Sequence, residues 1–320
     1  MPKVSICVPV YNVEKYIERC ARSLFEQTLD DLEFVFVDDC TPDRSVEILK
    51  SIIEEYQLRF AKKNYTARIE KMPTNSGLAA VRRQGYQFAS GDYITFCDSD
   101  DVMPADAIET LYNLAVESGA DIVSGDMEWL FEDGTTKRNN VSLPYGNDAE
   151  SVYRALLYKT YSHNLCSKLF KSGLLKEYDY ITLMNATNGE DGMLFYQVLQ
   201  HSIKTVHINQ VVYHYIQHSQ SSTHKRLNRQ ALSSIVYLNK VRLDTCGRIT
   251  SLKDDTWVYV SKVLNGLLVE GYKDTLVPII RNEQLEEYIN LCQMAQHYPV
   301  KDFIRTMVRR TLKPIIAKFQ

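Results

Sequence analysis

Tyr93-Ile94-Thr95-Phe96-Cys97-Asp98-Ser99-Asp100-Asp101 is the stretch on which the fold turns. A short run of β-branched and aromatic residues ends in three carboxylates within four positions, with Ser90-Gly91-Asp92 before it and Pro104 after. The run predicts a buried strand. Carboxylates crowded at the end of such a strand repel one another, and desolvation adds to the cost. A hard divalent cation offsets that cost, because carboxylate oxygens are the ligands it prefers. Mg²⁺ binds through one or two carboxylates plus substrate phosphates, so the stretch points to a metal that holds a phosphorylated ligand. The alternative is a solvated acidic turn in which Asp101 caps a helix that takes Pro104 in its first turn.

Upstream, Val4-Ser5-Ile6-Cys7-Val8-Pro9-Val10 is apolar on both faces apart from Ser5, as buried parallel strands are. Tyr11-Asn12 then leads into a helix expected from Val13, with Asn12 as its N-cap and Val13, Tyr16, Ile17, Cys20, Leu24 and Phe25 as its apolar stripe. Leu32-Glu33-Phe34-Val35-Phe36-Val37 predicts a second buried strand, ending in Asp38-Asp39, and another helix carries Val46, Leu49, Ile52 and Ile53 on one side. This β-α-β-α order implies a parallel sheet with right-handed crossovers. Ligands of such sheets bind beyond the carboxyl ends of the strands. Tyr11, Asp38-Asp39 and the Asp98 cluster then share one sheet edge: a ring to stack on a base, a carboxylate for base N–H or ribose hydroxyl, and a metal for a diphosphate. For Asp38 and Asp39 the alternative is a helix-capping turn; the joint placement favours the ligand.

Asn75-Ser76-Gly77-Leu78-Ala79-Ala80-Val81-Arg82-Arg83-Gln84-Gly85 predicts an amphipathic helix opened by Gly77, with an N-terminus that favours anions. Arg82 and Arg83 follow one to two turns in, and Arg83 reads as part of a solvated face. No GxGxxG follows a strand and no GxxxxGK[ST] occurs. A helix is expected from Pro104 to about Ser118, a strand at 120–124, a hairpin at Asp133-Gly134-Thr135 and a short amphipathic piece at 164–170. Asn188-Gly189-Glu190-Asp191 places two acids at the start of an apolar helix. They either complement its dipole, worth about 0.3–1 kcal/mol, or supply a general base pointing into a cleft. A strand at 211–215 precedes a polar loop at 218–224 that could fold over a phosphate, and the pattern is helical from about Asn228 onward.

The 320 residues are 45% apolar and 24% charged, an ordinary globular composition large enough for one large domain or two to three small ones. A net charge of −3 gives no global basic field, which argues against nucleic acid as partner. Neither a signal peptide nor a run of about 18 apolar residues is found. Seven scattered cysteines without a CxxC pair suit reduced thiols and a cytoplasmic location, and Cys7 and Cys97 read as core residues. Residues 301–320 carry six basic residues against one acid, with Ile304, Val308, Leu312, Ile315 and Phe319 on a complementary stripe. That segment reads either as an element for an anionic membrane surface, with peripheral attachment on the cytoplasmic face, or as a packed helix with a basic outer side.

Taken together, "VSICVPVYN" (4–12), "FVFVDD" (34–39), "NSGLAAVRRQG" (75–85) and "GDYITFCDSDD" (91–101) resemble, in order and spacing, the family 2 glycosyltransferases of GT-A fold. The likeness covers roughly the first 125 residues; Gly189-Glu190-Asp191 and 213–223 resemble looser, later features. It implies an α/β fold: a Rossmann-like, mostly parallel sheet flanked by helices, with a helical C-terminal region. It divides the chain into a nucleotide-sugar half (1–125), an acceptor and catalytic-base half (126–225) and a helical region with the basic tail (226–320). It further implies inverting transfer of a sugar from a nucleotide diphosphate sugar, most often a UDP-sugar, to a hydroxyl of a glycan or lipid-linked acceptor, with Mn²⁺ or Mg²⁺.

Carried over position by position, Pro9, Tyr11 and Asp39 would surround the uridine, with Asp38 in support. Asn75, Gly77 and Arg82 would lie near base and diphosphate, and Asp98 and Ser99 would touch the donor. Asp98 and Asp100 would be the DxD pair, Asp100 the more direct metal ligand. Asp191 would be the base, with Glu190 as competitor. The family's usual Arg-Asn is Arg82-Arg83 here. The QxxRW motif of processive synthases is absent, which implies single addition rather than polymerisation. The competing readings are a nucleotidyltransferase, which would need a Gly- and Arg/Lys-rich loop where Tyr11-Asn12-Val13-Glu14 stands, and a sugar-nucleotide-binding scaffold without catalysis.

Overall fold

The computed structural model describes residues 1–181, 183, 186, 188–217 and 227–289. The first half runs β1 (Val4–Val10), α1 (Ile17–Phe25), β2 (Leu32–Asp38), α2 (Ser45–Glu55), α3 (Gln57–Lys63), β3 (Thr66–Lys71), α4 (Leu78–Phe88) and β4 (Tyr93–Phe96). Then come α5 (Ala107–Ser118), β5 (Ile122–Phe131), β6 (Thr136–Asn139), α6 (Ala149–Leu157), β7 (Lys168–Lys171), α7 (Ser172–Lys176), α8 (Glu190–Val198) and β8 (Thr205–Gln217). They form an eight-stranded sheet in the order β3-β2-β1-β4-β7-β5-β6, with β8 paired to β5. β1 to β4 are mutually parallel, and β7 inserts antiparallel between β4 and β5. The helix-flanked α/β sheet expected from the sequence is present, parallel through β1 to β4 as the pattern predicts, while β6 and β7 pair antiparallel.

β1 and β2 are buried along nearly their whole length, because helices cover both faces. Phe25 meets Phe34 and Phe60 edge-on at 5.0 and 4.9 Å; each fully buried ring stabilises by about 1.5–3 kcal/mol. Ser5, the polar exception in β1, donates to the Glu33 carboxylate, which also accepts Ser90 N–H at 2.6 Å and pairs with Arg68 at 2.6 Å. In register, Val10 lies beside Asp38 and Cys7 beside Phe96, so the three strands end at one edge.

Several local expectations are corrected. α1 begins at Ile17, not Val13, and Asn12 does not cap it. Asn12 has a φ of 56°, and its N–H donates to Thr41 Oγ1, while Glu14 N–H goes to Asp43 Oδ2: the 41–43 loop takes the donors that a helix would have used. α5 begins at Ala107, after a turn in which Pro104 C=O accepts Ala107 N–H. Asp101 does not cap that helix; its carboxylate accepts from β8. α3 and the edge strand β3 were not signalled by the pattern; β3 reads TARIEK, too polar to resemble the buried strands. β5 and β8 are also longer than their apolar cores, pairing from Ile122–Thr205 out to Phe131–Gln217.

The chain divides into two compact units, 1–234 and 235–320. The sheet belongs to the first, and β5 crosses position 125 without a break. Helices α9 (Arg229–Asp244), α10 (Lys253–Leu267) and α11 (Lys273–Asn282) follow, so the C-terminal region is helical as far as it is described. No described helix is long and apolar enough to cross a membrane. The loop 218–224 and the basic segment 301–320 lie outside the described residues.

Candidate active site

At the carboxyl edge of the sheet, Pro9, Tyr11, Asp39, Asn75, Gly77, Asp98, Ser99 and Asp100 line one cavity of ≈ 390 Å³, together with Val81 and Tyr215. Tyr11 is half exposed there, as a stacking platform must be. Asp39 is buried and accepts Ser76 N–H at 2.6 Å and Gly77 N–H at 2.9 Å, while Asn75 Nδ2 donates to its carbonyl. The carboxylate thus ties the end of β2 to the start of α4. Gly77 precedes α4 with a φ of 81°, a left-handed backbone that disfavours side chains. Asp38 stands outside the cavity wall; its Oδ1 accepts Thr41 N–H at 2.7 Å and fixes the turn after β2. The sequence expectations for this edge, apart from Asp38 and Arg82, therefore converge on one space.

Arg82 is the hub behind that space. Its side chain is 4% exposed, and its Nη2 donates to Asp98 Oδ1 at 2.7 Å. Its Nη1 donates to Glu190 Oε1 at 3.0 Å and to Asp191 Oδ1. Gly189, at φ 87°, turns the chain into α8 so that both acids stand at the helix start. Asp191 Oδ2 also accepts Leu165 N–H at 3.1 Å. One guanidinium thereby joins the carboxylate after β4 to the candidate bases on α8. Arg83, by contrast, is partly exposed and reaches Asp179 at 3.4 Å, the solvated face expected of it.

A second cavity, of ≈ 560 Å³, lies on the other side of Asn75, Gly77 and Leu78, which line both. Its wall includes Ser162, His163, Asn164, Asn188 and Gln230, and it holds both Glu190 and Asp191.

One guanidinium against three carboxylates leaves the cluster anionic. Burial and the Asp191 charge push Glu190 up to about 7 against the pull of Arg82. Burial also raises Asp191, again opposed by Arg82. Arg82 itself stays ionised, because Asp191 and Asp98 outweigh its desolvation. The pair on α8 therefore exchanges a proton nearer neutrality than free carboxylic acids do.

Among the described residues, no three His, Cys, Asp or Glu side chains converge into a ready metal cage. The donor set nevertheless suits Mg²⁺ or Mn²⁺: Asp98 and Asp100 flank a cavity with room for phosphate oxygens, and these ions complete their shell with substrate phosphate and water. Four participants were not singled out from sequence. Lys168 is a buried ammonium, Leu165 supplies a main-chain donor, Tyr213 donates to Asp101 Oδ2 at 2.7 Å while accepting Asp98 N–H, and Tyr215 lines the first cavity. Their sequence trace is a lysine in a short amphipathic piece and a strand spelled Tyr-His-Tyr at the start of the looser 213–223 likeness, neither of which identifies a partner.

Residues 5–176 match the family model described as glycosyl transferase family 2. Over 225 residues the chain is 32% identical to glycosyltransferase GlyA of Streptococcus pneumoniae, covering 67% of this chain and 30% of that protein. Over 177 residues it is 33% identical to the poly(ribitol-phosphate) beta-glucosyltransferase of Bacillus spizizenii, covering 55% and 26%. The chain thus matches about a third or less of these relatives' length. Among solved structures, it superposes on Staphylococcus aureus TarS 1–349 in complex with UDP-GlcNAc with a TM-score of 0.68 at 17% identity, covering 88% of this chain and 80% of that one. It superposes on the mannosyltransferase PcManGT of Pyrobaculum calidifontis, in complex with GDP-Man and Mn²⁺, with a TM-score of 0.54 at 14% identity, covering 97% and 87%. Those two likenesses are of fold.

Proposed function

The chain belongs to glycosyl transferase family 2, and from that premise we propose that it transfers a hexosyl or N-acetylhexosaminyl group, with inversion and by single addition, from a nucleotide diphosphate sugar, a UDP-sugar in this reading, to a hydroxyl of a glycan or lipid-linked acceptor in cell-surface polysaccharide synthesis. The observation that carries the reading is the Arg82 bridge, which sets Asp98 of the donor-side cavity and Asp191 of the second cavity on one guanidinium.

In this reading Tyr11 stacks on the base, and Asp39, with Asn75 and Gly77, shapes the pocket around the nucleoside. Asp100 and Asp98 would hold Mn²⁺ or Mg²⁺, which when bound neutralises charge developing on the leaving diphosphate. Asp191 accepts the acceptor hydroxyl's proton as that oxygen attacks the anomeric carbon from the face opposite the leaving group; the new C–O bond forms as the old one breaks, and the carbon inverts. Arg82 favours the ionised form of Asp191 and aims it. The second cavity suits an acceptor sugar: its amides and hydroxyls match sugar hydroxyls, and its two carboxylates disfavour an anion beside the reacting oxygen. Residues 301–320 supply an anionic-membrane contact that would bring the enzyme to lipid-linked acceptors.

Two measurements test this. A thermal-shift panel of UDP-, GDP- and dTDP-sugars should show stabilisation by one of them, larger with Mn²⁺. Release of the matching nucleoside diphosphate should then require acceptor. No shift and no release with any nucleotide sugar would overturn the reading. For the tail, deletion of residues 301–320 should weaken sedimentation with anionic vesicles; equal sedimentation would return it to a packed helix.

A further inference from the structure

Lys168 is among the largest side chains that the protein buries completely. Burying an ammonium is costly, and the cost is offset here by partners on a single residue. Nζ donates to Asn164 twice, to the carbonyl at 2.5 Å and to Oδ1 at 3.1 Å. The rings of Tyr161 and Phe195 lie 5.0 Å from it. Asn164 is thereby held at both ends, because its Nδ2 donates to Ser167 Oγ at 2.9 Å. The next residue, Leu165, gives the N–H that grips Asp191 Oδ2, and Asn164 itself lines the cavity with Asp191.

We infer that Lys168 is a positioning residue for the transfer reaction: by clamping Asn164 it sets the 164–165 turn so that the Leu165 N–H aims Asp191 and the Asn164 amide faces the second cavity. The inference rests on Asp191 being the base. The charge adds to the effect: burial pushes Lys168 down to about 7 while Asp191 draws it back up, and reciprocally the ammonium favours the ionised form of Asp191.

Lys168→Met separates this role from a structural one. Its kcat should fall about 10–100-fold, the cost of a small misplacement of a reacting group. The nucleotide-sugar KM and the thermal shift given by the nucleotide should not move, and the Tm without ligand should fall only modestly, as two Asn164 acceptors lose their donor. Lys168→Gln, whose amide can still donate to Asn164, should recover part of kcat. Unchanged kcat in Lys168→Met would overturn the inference, and so would loss of kcat, Tm and nucleotide binding together. If Lys168→Met does not fold, Asn164→Ala reads the same link from the other side. It should lower kcat at constant nucleotide-sugar KM, and wild-type kcat there would overturn the inference. Failure of the underlying reading looks different: Asp191→Asn would then turn over like the wild type, whatever Lys168→Met does.

Discussion

The carboxylates after β4 and those at the start of α8 face one another across Arg82, and opposite means hold them there. After β4, chain connectivity alone crowds three acids into four residues, and the fold then separates them. Asp98 goes to Arg82, Asp101 goes under β8, and Asp100 stays partly exposed in the donor-side cavity. At α8 two adjacent acids stay together, and their hydrogen-bond donors come from elsewhere: Arg82 from α4, the Leu165 N–H from the turn before β7. The first cluster keeps negative charge facing a cavity, which suits a cation brought by substrate. The second is partly desolvated and shares one guanidinium between two acids, which adjusts proton affinity. In the proposed function, a charge-receiving site and a proton-receiving site thus share one arginine.

The sharpest break between them is at Asp191. Asp191→Asn keeps size and the Leu165 contact but removes the proton acceptor. kcat should fall about 10²–10⁴-fold, the range for loss of a general base, while a nucleotide-sugar thermal shift persists. Comparable turnover would assign the base to Glu190 or to neither. Asp100→Ala attacks the other cluster. Outer-shell changes at metal sites cost about 10–100-fold, so loss of a direct ligand should reach at least the upper end. The variant should lose Mn²⁺ stimulation and fold normally by circular dichroism. Full wild-type turnover in EDTA would break the metal assignment.

The proton-receiving role also has a pH signature. Burial raises both acids on α8, Glu190 to about 7. A base works ionised, so kcat should drop as pH falls through the raised pKa of Asp191, by up to tenfold per unit for a single proton. Glu190→Gln removes the like charge with which Asp191 shares its titration, and should move that bend to lower pH. A profile flat from pH 8 to 5 would separate the acids from the rate-limiting step.

These experiments also mark where sequence reasoning reaches. The donor-side edge was legible because its signals are local: buried strands that stop in Tyr11, Asp38-Asp39 and Asp98, and a glycine opening α4. The period of the apolar runs placed these ends together before any contact was known. The α8 acids were visible as residues, but not their linkage to Arg82, because a bond spanning 108 positions leaves no periodic trace. Arg82 was expected beside the diphosphate; its guanidinium lies among three carboxylates, one of them Asp98 of the donor-side cavity. Lys168 was hidden for the same reason: a lysine in Ser167-Lys168-Leu169-Phe170 reads as the polar side of an amphipathic piece until the turn before it folds back. β3 failed differently, since an edge strand with polar residues has no apolar run to detect.

Asp101 tests the separation within the first cluster at the smallest scale. It is fully buried, with Oδ1 accepting Ile216 N–H at 2.7 Å and Oδ2 accepting the Tyr213 hydroxyl at 2.7 Å. Tyr213 in turn accepts Asp98 N–H at 3.1 Å, so Asp101 braces the loop that presents Asp98 and Asp100. Asp101→Ala strands a buried N–H and a buried hydroxyl, and should cost about 1–3 kcal/mol of stability in denaturant titration. Asp101→Asn keeps an acceptor for Ile216 N–H and offers an N–H to Tyr213, so it should cost less than Asp101→Ala. Neither variant should abolish Mn²⁺ stimulation, in contrast to Asp100→Ala. If Asp101→Asn lost the metal response while keeping its stability, Asp101 would be a ligand rather than a brace, and the division of labour among the three carboxylates would have to be redrawn.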